Sequence, residues 1–337
     1  MEGAKDNTPN DLLFDHEVFS LDFSPVQDCI ASGLVDGSLF VHHYATDQNT
    51  QLLQLQVHSK ACRAVLFTDD GTGLYTASSD GSIKEISLNG GKVSWTQSFA
   101  HDCGINAMLL FENNIFTGDE EGMVRVWDVR TKKCTNTWER NEDFISDFTI
   151  NDNILLCASG DGTLSVFDIR KGFLGSSENL EDELLSLVLL KNNSKVVCGT
   201  QTGVLQIFSW GNWEAPTDRF PGHPDSVETM YPINENMILT GSSDGLIRVV
   251  NLYPNKLLGV VGEHEEFPIE RLGVCRNDIL LASCSHDSSI KFWNIEMLAK
   301  GGEEEETDKE RINQVQEKFV KPKEKEINEM KNFFSDL

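Results

Sequence analysis

A tryptophan, a carboxylate and a guanidinium group lie close together in the string VWDVR at residues 126–130. The next similar string, VFDIR, places Arg170 two residues after Asp168, just as Arg130 follows Asp128. Packing within a strand does not require a guanidinium at that position. Each arginine is therefore either a contact for a partner protein or a solvated basic residue beside a strand end, and the sequence leaves both interpretations open.

The other residues with potential chemistry do not form a recognisable catalytic or metal-binding pattern. His42 and His43 are adjacent, and adjacent residues of a strand point to opposite faces, so the two cannot bind one metal ion together. The eight cysteines form no C-x-x-C pair and no Cys/His cluster with zinc-ligand spacing, which favours reduced thiols that serve packing. The string NGGK at residues 89–92 lacks the first glycine and the Ser/Thr of a phosphate-binding loop. The sequence thus predicts no metal, no cofactor and no enzyme activity.

The charge of the chain indicates which partners it favours. There are 28 basic and 54 acidic residues among 337, which gives a formal net charge of −26. Such a surface attracts basic proteins and argues against direct RNA binding, because RNA carries a negative phosphate backbone. The polar N-terminus lacks the order of a secretory signal, and the apolar runs are too short to span a membrane. We expect an intracellular protein that has no membrane segment.

Similar short strings recur along the chain, and each has a turn residue between two strand-like runs. The strings are LVDGSLFVHH, SSDGSIKEIS, DEEGMVRVWD, SGDGTLSVFD, TQTGVLQIFS, SSDGLIRVVN and SHDSSIKFWN. Their turn residues are Asp36, Asp80, Glu121, Asp161, Thr202, Asp244 and Asp287. Successive turns are 40 to 44 residues apart, the period of WD40 repeats, each of which supplies four antiparallel strands to one propeller blade. The sequence therefore predicts an all-β, seven-bladed WD40 β-propeller.

The repeats resemble the WD40 family, in which a His, a Ser or Thr, an Asp and a Trp are joined by hydrogen bonds within a blade. The histidine positions, about twenty residues before each turn residue, are His16, His58, His101, Asn141, Glu181, His223 and His264. The tryptophan positions, six residues after it, are His42, Ile86, Trp127, Phe167, Phe208, Val250 and Trp293. The last repeat has all four members, His264, Ser283, Asp287 and Trp293, and we expect it to be the only complete tetrad.

Three segments follow from this pattern. They are a flexible N-terminus at residues 1–8, a propeller at residues 9–298 and a charged tail at residues 299–337. An apolar stretch from Leu12 to Phe14 precedes the first repeat, and we expect it to add the outer strand of the last blade, which removes an exposed sheet edge. The tail is predicted to be disordered, with short amphipathic stretches. We expect a monomeric propeller.

Aromatic side chains outside the repeat pattern are candidates for protein binding. Trp210 and Trp213 lie in the least repeat-like insertion, and they either form an exposed contact site or cover the outer strand of a blade. The tail ends in NFFSDL, so Phe333, Phe334 and Leu337 need a surface on which to be buried, either the propeller or a partner.

Two resemblances imply different functions. The W-D-x-R strings with Arg130 and Arg170 resemble the box by which some WD40 proteins bind the adaptor of cullin-RING ubiquitin ligases, which implies a substrate receptor. The strings HSKACRAVLF, APTDRF, GLIRVVNLYPNKLLGVVGEH and the terminal FFSDL resemble the WD repeat-containing protein 55 family. That resemblance implies a scaffold for ribosome biogenesis and ribosomal RNA production, located in the nucleus and nucleolus and also expected in the cytoplasm. Basic ribosomal or ribosome-assembly proteins would be its partners. A third class, an enzyme with an atypical site in the central channel, would need clustered carboxylates with perturbed pKa values, which the sequence does not reveal.

Overall fold

The structure is a computed structural model that describes residues 8–300, and it consists of seven four-stranded antiparallel sheets arranged in a closed ring. The predicted all-β, seven-bladed propeller is confirmed. Within residues 8–300 the one helix is α1 (Glu296–Lys300), which is too short to cross a membrane. The proposed tail from residue 301 onward lies outside the described residues, and so do residues 1–7 of the proposed N-terminus.

Each blade is built from four strands that follow one another from the central channel to the rim of the ring. Blade 1 contains β2 (Val18–Phe23), β3 (Cys29–Leu34), β4 (Ser38–His43) and β5 (Thr50–Gln56), and blade 2 contains β6 (Cys62–Phe67), β7 (Gly73–Ser78), β8 (Ile83–Ser87) and β9 (Lys92–Gln97). Blade 3 contains β10 (Ile105–Phe111), β11 (Asn114–Asp119), β12 (Met123–Asp128) and β13 (Lys133–Glu139), and blade 4 contains β14 (Ile145–Asn151), β15 (Ile154–Ser159), β16 (Leu164–Asp168) and β17 (Gly172–Ser176). Blade 5 contains β18 (Leu184–Leu190), β19 (Lys195–Thr200), β20 (Val204–Ser209) and β21 (Asp218–Pro221), and blade 6 contains β22 (Val227–Pro232), β23 (Met237–Ser242), β24 (Leu246–Asn251) and β25 (Lys256–Glu263). Blade 7 contains β26 (Ile269–Val274), β27 (Leu280–Ser285), β28 (Ser289–Asn294) and, as its outer strand, β1 (Leu12–Leu13).

The hydrophobic core lies between blades rather than within them. Each of seven clusters of buried side chains joins two neighbouring sheets, for example Tyr75 of blade 2 with Ile115 and Trp127 of blade 3. The second strand of each blade is covered by sheets on both sides, so β3, β7 and β27 are buried along their whole length and the other four are buried after their first residue. A single blade cannot bury its own apolar surface, so the blades are stable only as a ring.

The turns of the propeller define two faces. Because neighbouring strands are antiparallel, the turns between second and third strands lie on the same face as the connections between blades, and we call it the DG face. The other turns lie on the opposite face, which we call the far face. Six of the seven DG turns have glycine with positive φ: Gly37 has φ of +86°, and a Cβ there would lie 2.3 Å from the His58 carbonyl oxygen. In blade 7, Ser288 takes this place with φ of +61°.

The N-terminal strand completes the last sheet. Leu12 pairs with Ile290 and Leu13 with Ser289, and the Phe14 amide donates a hydrogen bond to the Ser288 carbonyl oxygen at 2.9 Å. Leu12 is 6% exposed and packs in the cluster between blades 7 and 1, together with Phe14. This short strand therefore covers the outer edge of β28.

Deleting residues 1–15 should lower the free energy of unfolding by about 2 to 3 kcal/mol, because burial of Leu12 and Phe14 is lost and β28 gains a free edge. Thermal unfolding of the truncated chain measures this effect. Leu13 provides a matched control within the same strand, because its side chain is 80% exposed. Leu12→Ala should destabilise the protein and Leu13→Ala should not, and an unchanged melting temperature after the deletion would show that the strand does not hold the ring.

Candidate functional site

Arg130 and Arg170 occupy equivalent turns on the far face of blades 3 and 4. The Asp128 carboxylate accepts hydrogen bonds from the amides of Arg130 (2.8 Å) and Thr131 (3.1 Å), and these bonds hold the pKa of Asp128 below its ordinary value. The Asp168 carboxylate accepts the amide of Arg170 at 2.9 Å in the same way. The aspartates therefore fix the turns, while the arginine side chains extend outward.

Both guanidinium groups are accessible to a partner. The Arg130 side chain is 72% exposed, and its Nη2 lies 3.7 Å from Asp128 Oδ2, which is too far for a hydrogen bond. Arg170 is exposed as well. The corresponding residues of the other blades are Ala45, Asn89, Gly211, Tyr253 and Glu296. The pair of neighbouring arginines is thus confined to one sector of the far face.

Trp210 and Trp213 pack against the propeller. Their rings meet edge to face with centroids 4.9 Å apart, and both lie against the buried cluster between blades 4 and 5. Both side chains are half-buried. This arrangement favours the interpretation that the indoles cover a blade over the one in which they form an exposed contact site. The other aromatic candidates, Phe333 and Phe334, and the terminal Leu337 lie outside the described residues.

A complete tetrad spans blade 7 and its connection from blade 6. His264 Nδ1 lies 2.7 Å from Asp287 Oδ2, and His264 Nε2 lies 2.7 Å from Ser283 Oγ. The Trp293 indole N–H donates to the same Ser283 oxygen at 2.8 Å. These bonds satisfy the polar groups of a buried histidine and tie the blade connection to the second and third strands.

Blade 3 contains a second complete tetrad, so the expectation of only one was wrong. His101 Nδ1 lies 2.7 Å from an Asp119 carboxylate oxygen and Nε2 lies 2.7 Å from Thr117 Oγ1, to which the Trp127 indole donates at 3.0 Å. Asp119 ends β11, two residues before the turn residue Glu121. Its other oxygen accepts the turn amides of Glu121 and Met123. The string GDEEG contains this aspartate, which the fixed spacing overlooked.

Two predicted histidine positions were also wrong. His16 is exposed and lies 3.8 Å from Asp36, while the Phe14 ring packs edge-on against Phe40 and His42. In the connection to blade 5, Glu181 is exposed with φ of +55°. The amide that donates a hydrogen bond to the Gly162 carbonyl oxygen of the preceding DG turn belongs to Leu180. Counted back from the turn residue Thr202, the spacing used was one residue too short there.

The remaining histidines show how incomplete tetrads are stabilised. Burial lowers the pKa of His58 to about 4, so its neutral ring hydrogen bonds with Ser82 and Thr76. Burial likewise lowers the pKa of His223 to about 3. In that blade the buried Arg248 binds both oxygens of Asp244, at 3.0 and 2.6 Å. The Asp244 carboxylate therefore binds Arg248, whereas in a complete tetrad it would hydrogen bond to His223.

Most of the acidic residues on the DG face form no ion pair with a cationic residue of the described chain. Those that are exposed and form no ion pair within residues 8–300 are Asp15, Glu120, Glu121, Glu142, Asp143, Glu178, Glu181, Glu183, Asp225, Glu265 and Glu266. In the loops of this face, the basic residues of the described chain are Lys60 and Arg140. The far-face loops are mixed in charge. Their basic residues are Arg130, Lys132, Arg170, Lys171, Lys191 and Arg276, and their exposed acidic residues without an ion pair are Asp47, Asp69, Asp70, Glu112, Asp152, Glu214, Glu235 and Asp278. The net negative charge of the described loops is thus larger on the DG face.

The central channel contains polar residues that the sequence analysis did not identify. A cavity of about 540 Å³ is lined by the inner strands of all seven blades, and Asp22, Asp147 and Arg271 are among its residues. Arg271 Nη1 lies 3.6 Å from Asp147 Oδ1. Asp147 belongs to blade 4 and Arg271 to blade 7, and blades 5 and 6 lie between them along the chain, so the interaction crosses the channel. A charged residue within the otherwise apolar strings VFSLDF, ISDFTIN and IERLGV was the available signal.

Metal binding finds no support among the described residues, since residues 8–300 contain no group of three or more His, Cys, Asp or Glu side chains that could hold an ion. The two channel carboxylates come from different blades and are accompanied by the guanidinium groups of Arg63 and Arg271. The lining of the cavity therefore combines acidic and basic groups in equal number.

Comparison with known proteins identifies relatives over the whole propeller. The WDR55 family model matches residues 9–298. The WD repeat-containing protein 55 homolog of Dictyostelium discoideum is 43% identical over 296 residues, which cover 87% of this chain and 72% of that protein. The WD repeat-containing protein 55 of Rattus norvegicus is 38% identical over 298 residues (87% and 78%), and that of Arabidopsis thaliana is 38% identical over 289 residues (84% and 82%). With its seven blades and this similarity, the chain belongs to the WD repeat-containing protein 55 family.

Proposed function

We propose that this protein is a noncatalytic interaction scaffold in ribosome biogenesis and ribosomal RNA production, and that it acts in the nucleus and nucleolus. The observation that carries the proposal is the set of unpaired carboxylates on the DG face, because such a surface attracts basic proteins and repels RNA. Ribosomal and ribosome-assembly proteins are basic partners of the expected kind. The assignment to ribosome biogenesis rests on the family resemblance.

A second candidate function is that of a substrate receptor in a cullin-RING ubiquitin ligase. It is favoured by the two equivalent turns in which Asp128 and Asp168 fix the backbone while Arg130 and Arg170 remain exposed. These turns lie on the far face, away from the acidic DG face. The two functions would therefore use different faces of the ring.

One purification experiment distinguishes the two functions. The tagged chain is isolated from nuclear extract with and without ribonuclease, and its partners are identified by mass spectrometry for the wild type and for the Arg130→Ala, Arg170→Ala double variant. The scaffold function predicts that basic preribosomal proteins co-purify with both forms and resist ribonuclease. The receptor function predicts that a ligase adaptor is the main partner and is lost in the double variant.

A matched control distinguishes specific docking through the two arginines from a general effect of positive charge. Lys133→Ala with Lys171→Ala removes two exposed positive charges from the same sector of the far face and leaves both arginines in place. Adaptor loss in the arginine variant alone would establish specific docking, while equal loss in both variants would indicate attraction by charge. Recovery of neither preribosomal proteins nor an adaptor would count against both functions.

A further inference from the structure

The rim of the ring between blades 3 and 4 carries a layer of aromatic rings. The Trp138 indole of β13 stacks on Phe167 with ring centroids 4.5 Å apart, and Phe173 of β17 contacts the same Phe167 ring edge to face at 5.5 Å. The Arg140 guanidinium lies 5.0 Å from the centre of the Phe173 ring. These contacts join the outer strands of two neighbouring blades. We call the following residues the rim surface: Trp138, Arg140, Arg170, Phe173 and Leu174.

The apolar groups of the rim surface are accessible to a partner. Phe173 is 37% exposed and Leu174 is 52% exposed. Trp138 is half-buried, and its indole N–H, which is not among the buried polar groups, donates no hydrogen bond within residues 8–300. Because a partly buried indole N–H usually finds an acceptor, this donor is available to a ligand.

Gly175 leaves the edge of β17 open. A Cβ added there would have no atom of the described chain within 4 Å, and the residue does not have positive φ. The β-bulge at Leu174 does not require glycine at the next position, because the same bulge in blades 1, 2 and 3 is followed by Leu53, Trp95 and Asn136. Glycine within a strand often marks a place where another backbone approaches closely.

The rim is positively charged, in contrast to the whole chain. Residues 129–140 and 169–176, which include the far-face turns and outer strands of blades 3 and 4, contain six basic residues and one acidic residue, whereas the chain contains 28 and 54. Within residues 8–300, the guanidinium groups of Arg140 and Arg170 form no ion pair. Two cations of the rim surface are therefore free to bind carboxylates.

The nearest carboxylates leave this charge in place. Glu139 is adjacent to Trp138 in β13, so its side chain points to the opposite face of the sheet. Asp128 and Asp168 precede the two turns, and each accepts a backbone amide of its own turn. With these two aspartates included, basic residues still outnumber acidic residues by six to three.

We propose that the rim surface binds an acidic segment of a partner protein that carries an apolar side chain. The apolar side chain packs against Phe173 and Leu174, and carboxylates of the segment pair with the two arginines. A backbone carbonyl of the segment accepts the hydrogen of the Trp138 indole. The proposal goes beyond both functions above and depends on neither, although the receptor function also uses Arg170.

The surface fits a protein segment better than it fits RNA. A segment can carry its carboxylates only where the arginines lie, whereas RNA has a phosphate at every nucleotide and would approach the DG-face carboxylates Glu142 and Asp143, which follow Arg140 in the chain. Leu174 offers an aliphatic contact, which is not the flat ring on which a base stacks.

Peptide binding to the full chain, measured by fluorescence anisotropy, tests this proposal. The probe is a fluorescein-labelled serine-rich peptide with one leucine between two aspartates. Comparison peptides have lysines in place of the aspartates or serine in place of the leucine, and labelled oligouridine is the nucleic-acid probe. We expect the acidic peptide with leucine to bind most tightly. Failure of this peptide to bind, or tighter binding of oligouridine, would overturn the proposal.

Two substitutions and two matched controls locate the site. Leu174→Ser and Arg140→Ala should each weaken peptide binding by about fivefold or more and leave the melting temperature unchanged, because both side chains are exposed. Leu52→Ser is the apolar control, since Leu52 occupies the same bulge position in β5 and is 56% exposed. Lys92→Ala removes an exposed cation from β9. Losses in the controls equal to those in the rim variants would contradict a specific site.

Arg130→Ala separates this proposal from the receptor function. Arg130 precedes β13, at the opposite end of that strand from Arg140, so the peptide should bind this variant as it binds the wild type. If the Arg130→Ala, Arg170→Ala double variant loses a ligase adaptor while Leu174→Ser and Arg140→Ala bind the peptide normally, the rim proposal fails and the receptor function stands. If the rim variants lose the peptide and no adaptor is found, the rim proposal stands without the receptor function.

Discussion

Replacing Trp127 with alanine should lower the free energy of unfolding by about 3 to 5 kcal/mol, the usual cost of removing a large buried aromatic side chain. Trp127 is 4% exposed and lies in the cluster that joins blades 2 and 3, so the substitution opens a cavity between two sheets. It also removes the indole hydrogen bond to Thr117 Oγ1, which His101 shares. Packing and the polar network are lost together.

Equilibrium unfolding in urea measures the effect, with Trp127→Phe and Trp213→Ala as matched comparisons. Phenylalanine keeps most of the packing and loses the indole donor, so about 1 kcal/mol should be lost. Trp213 is half-buried at the edge of its cluster, so its removal should cost less than that of Trp127. A Trp127→Ala protein within about 1 kcal/mol of the wild type would show that the indole does not anchor the blade.

The prediction from sequence was most successful where a local rule determines the structure. Aspartate or its substitutes before glycine mark the DG turns, because the turn requires positive φ and the carboxylate caps it, as Asp287 does for Ser289. The period between turns then fixed the number of blades. The bounds of most strands follow from these turns, since each strand must reach from one face of the ring to the other.

The prediction was less successful where the three-dimensional neighbourhood offers alternatives. Asp119 replaces the carboxylate expected at Glu121, since Asp119 Oδ2 lies 2.7 Å from His101 Nδ1. The pairing of Asp147 with Arg271 joins residues more than a hundred positions apart, so no local pattern indicates it. A fixed spacing can identify a repeat, but it cannot identify which of several nearby groups makes the contact.

The two faces of the ring support separate interactions. Carboxylates without cationic partners are most numerous on the DG face, while Arg130 and Arg170 lie on the far face. A basic partner on one face therefore does not block the arginines on the other. The scaffold and receptor functions are compatible in a single molecule for this geometric reason.

Asp22→Asn should stabilise the protein by up to about 4 kcal/mol at pH 8 and should have little effect near pH 4. Burial raises the pKa of the Asp22 carboxyl to about 7 in the folded chain, from an ordinary value of 3.8. Between these two values the folded chain holds a proton that the unfolded chain has released, so the free energy of unfolding falls as the pH rises. Because a tenfold change in proton affinity corresponds to about 1.4 kcal/mol, the full cost above pH 7 is roughly 4 kcal/mol.

Urea unfolding at pH 5 and pH 8 for the wild type, Asp22→Asn and the exposed control Glu142→Gln tests this expectation. The difference between Asp22→Asn and the wild type should be larger at pH 8, while the control should follow the wild type at both values. Asparagine keeps an acceptor for the Phe67 amide, so a loss of stability at pH 8 would mean that the carboxylate is well neutralised in the folded chain.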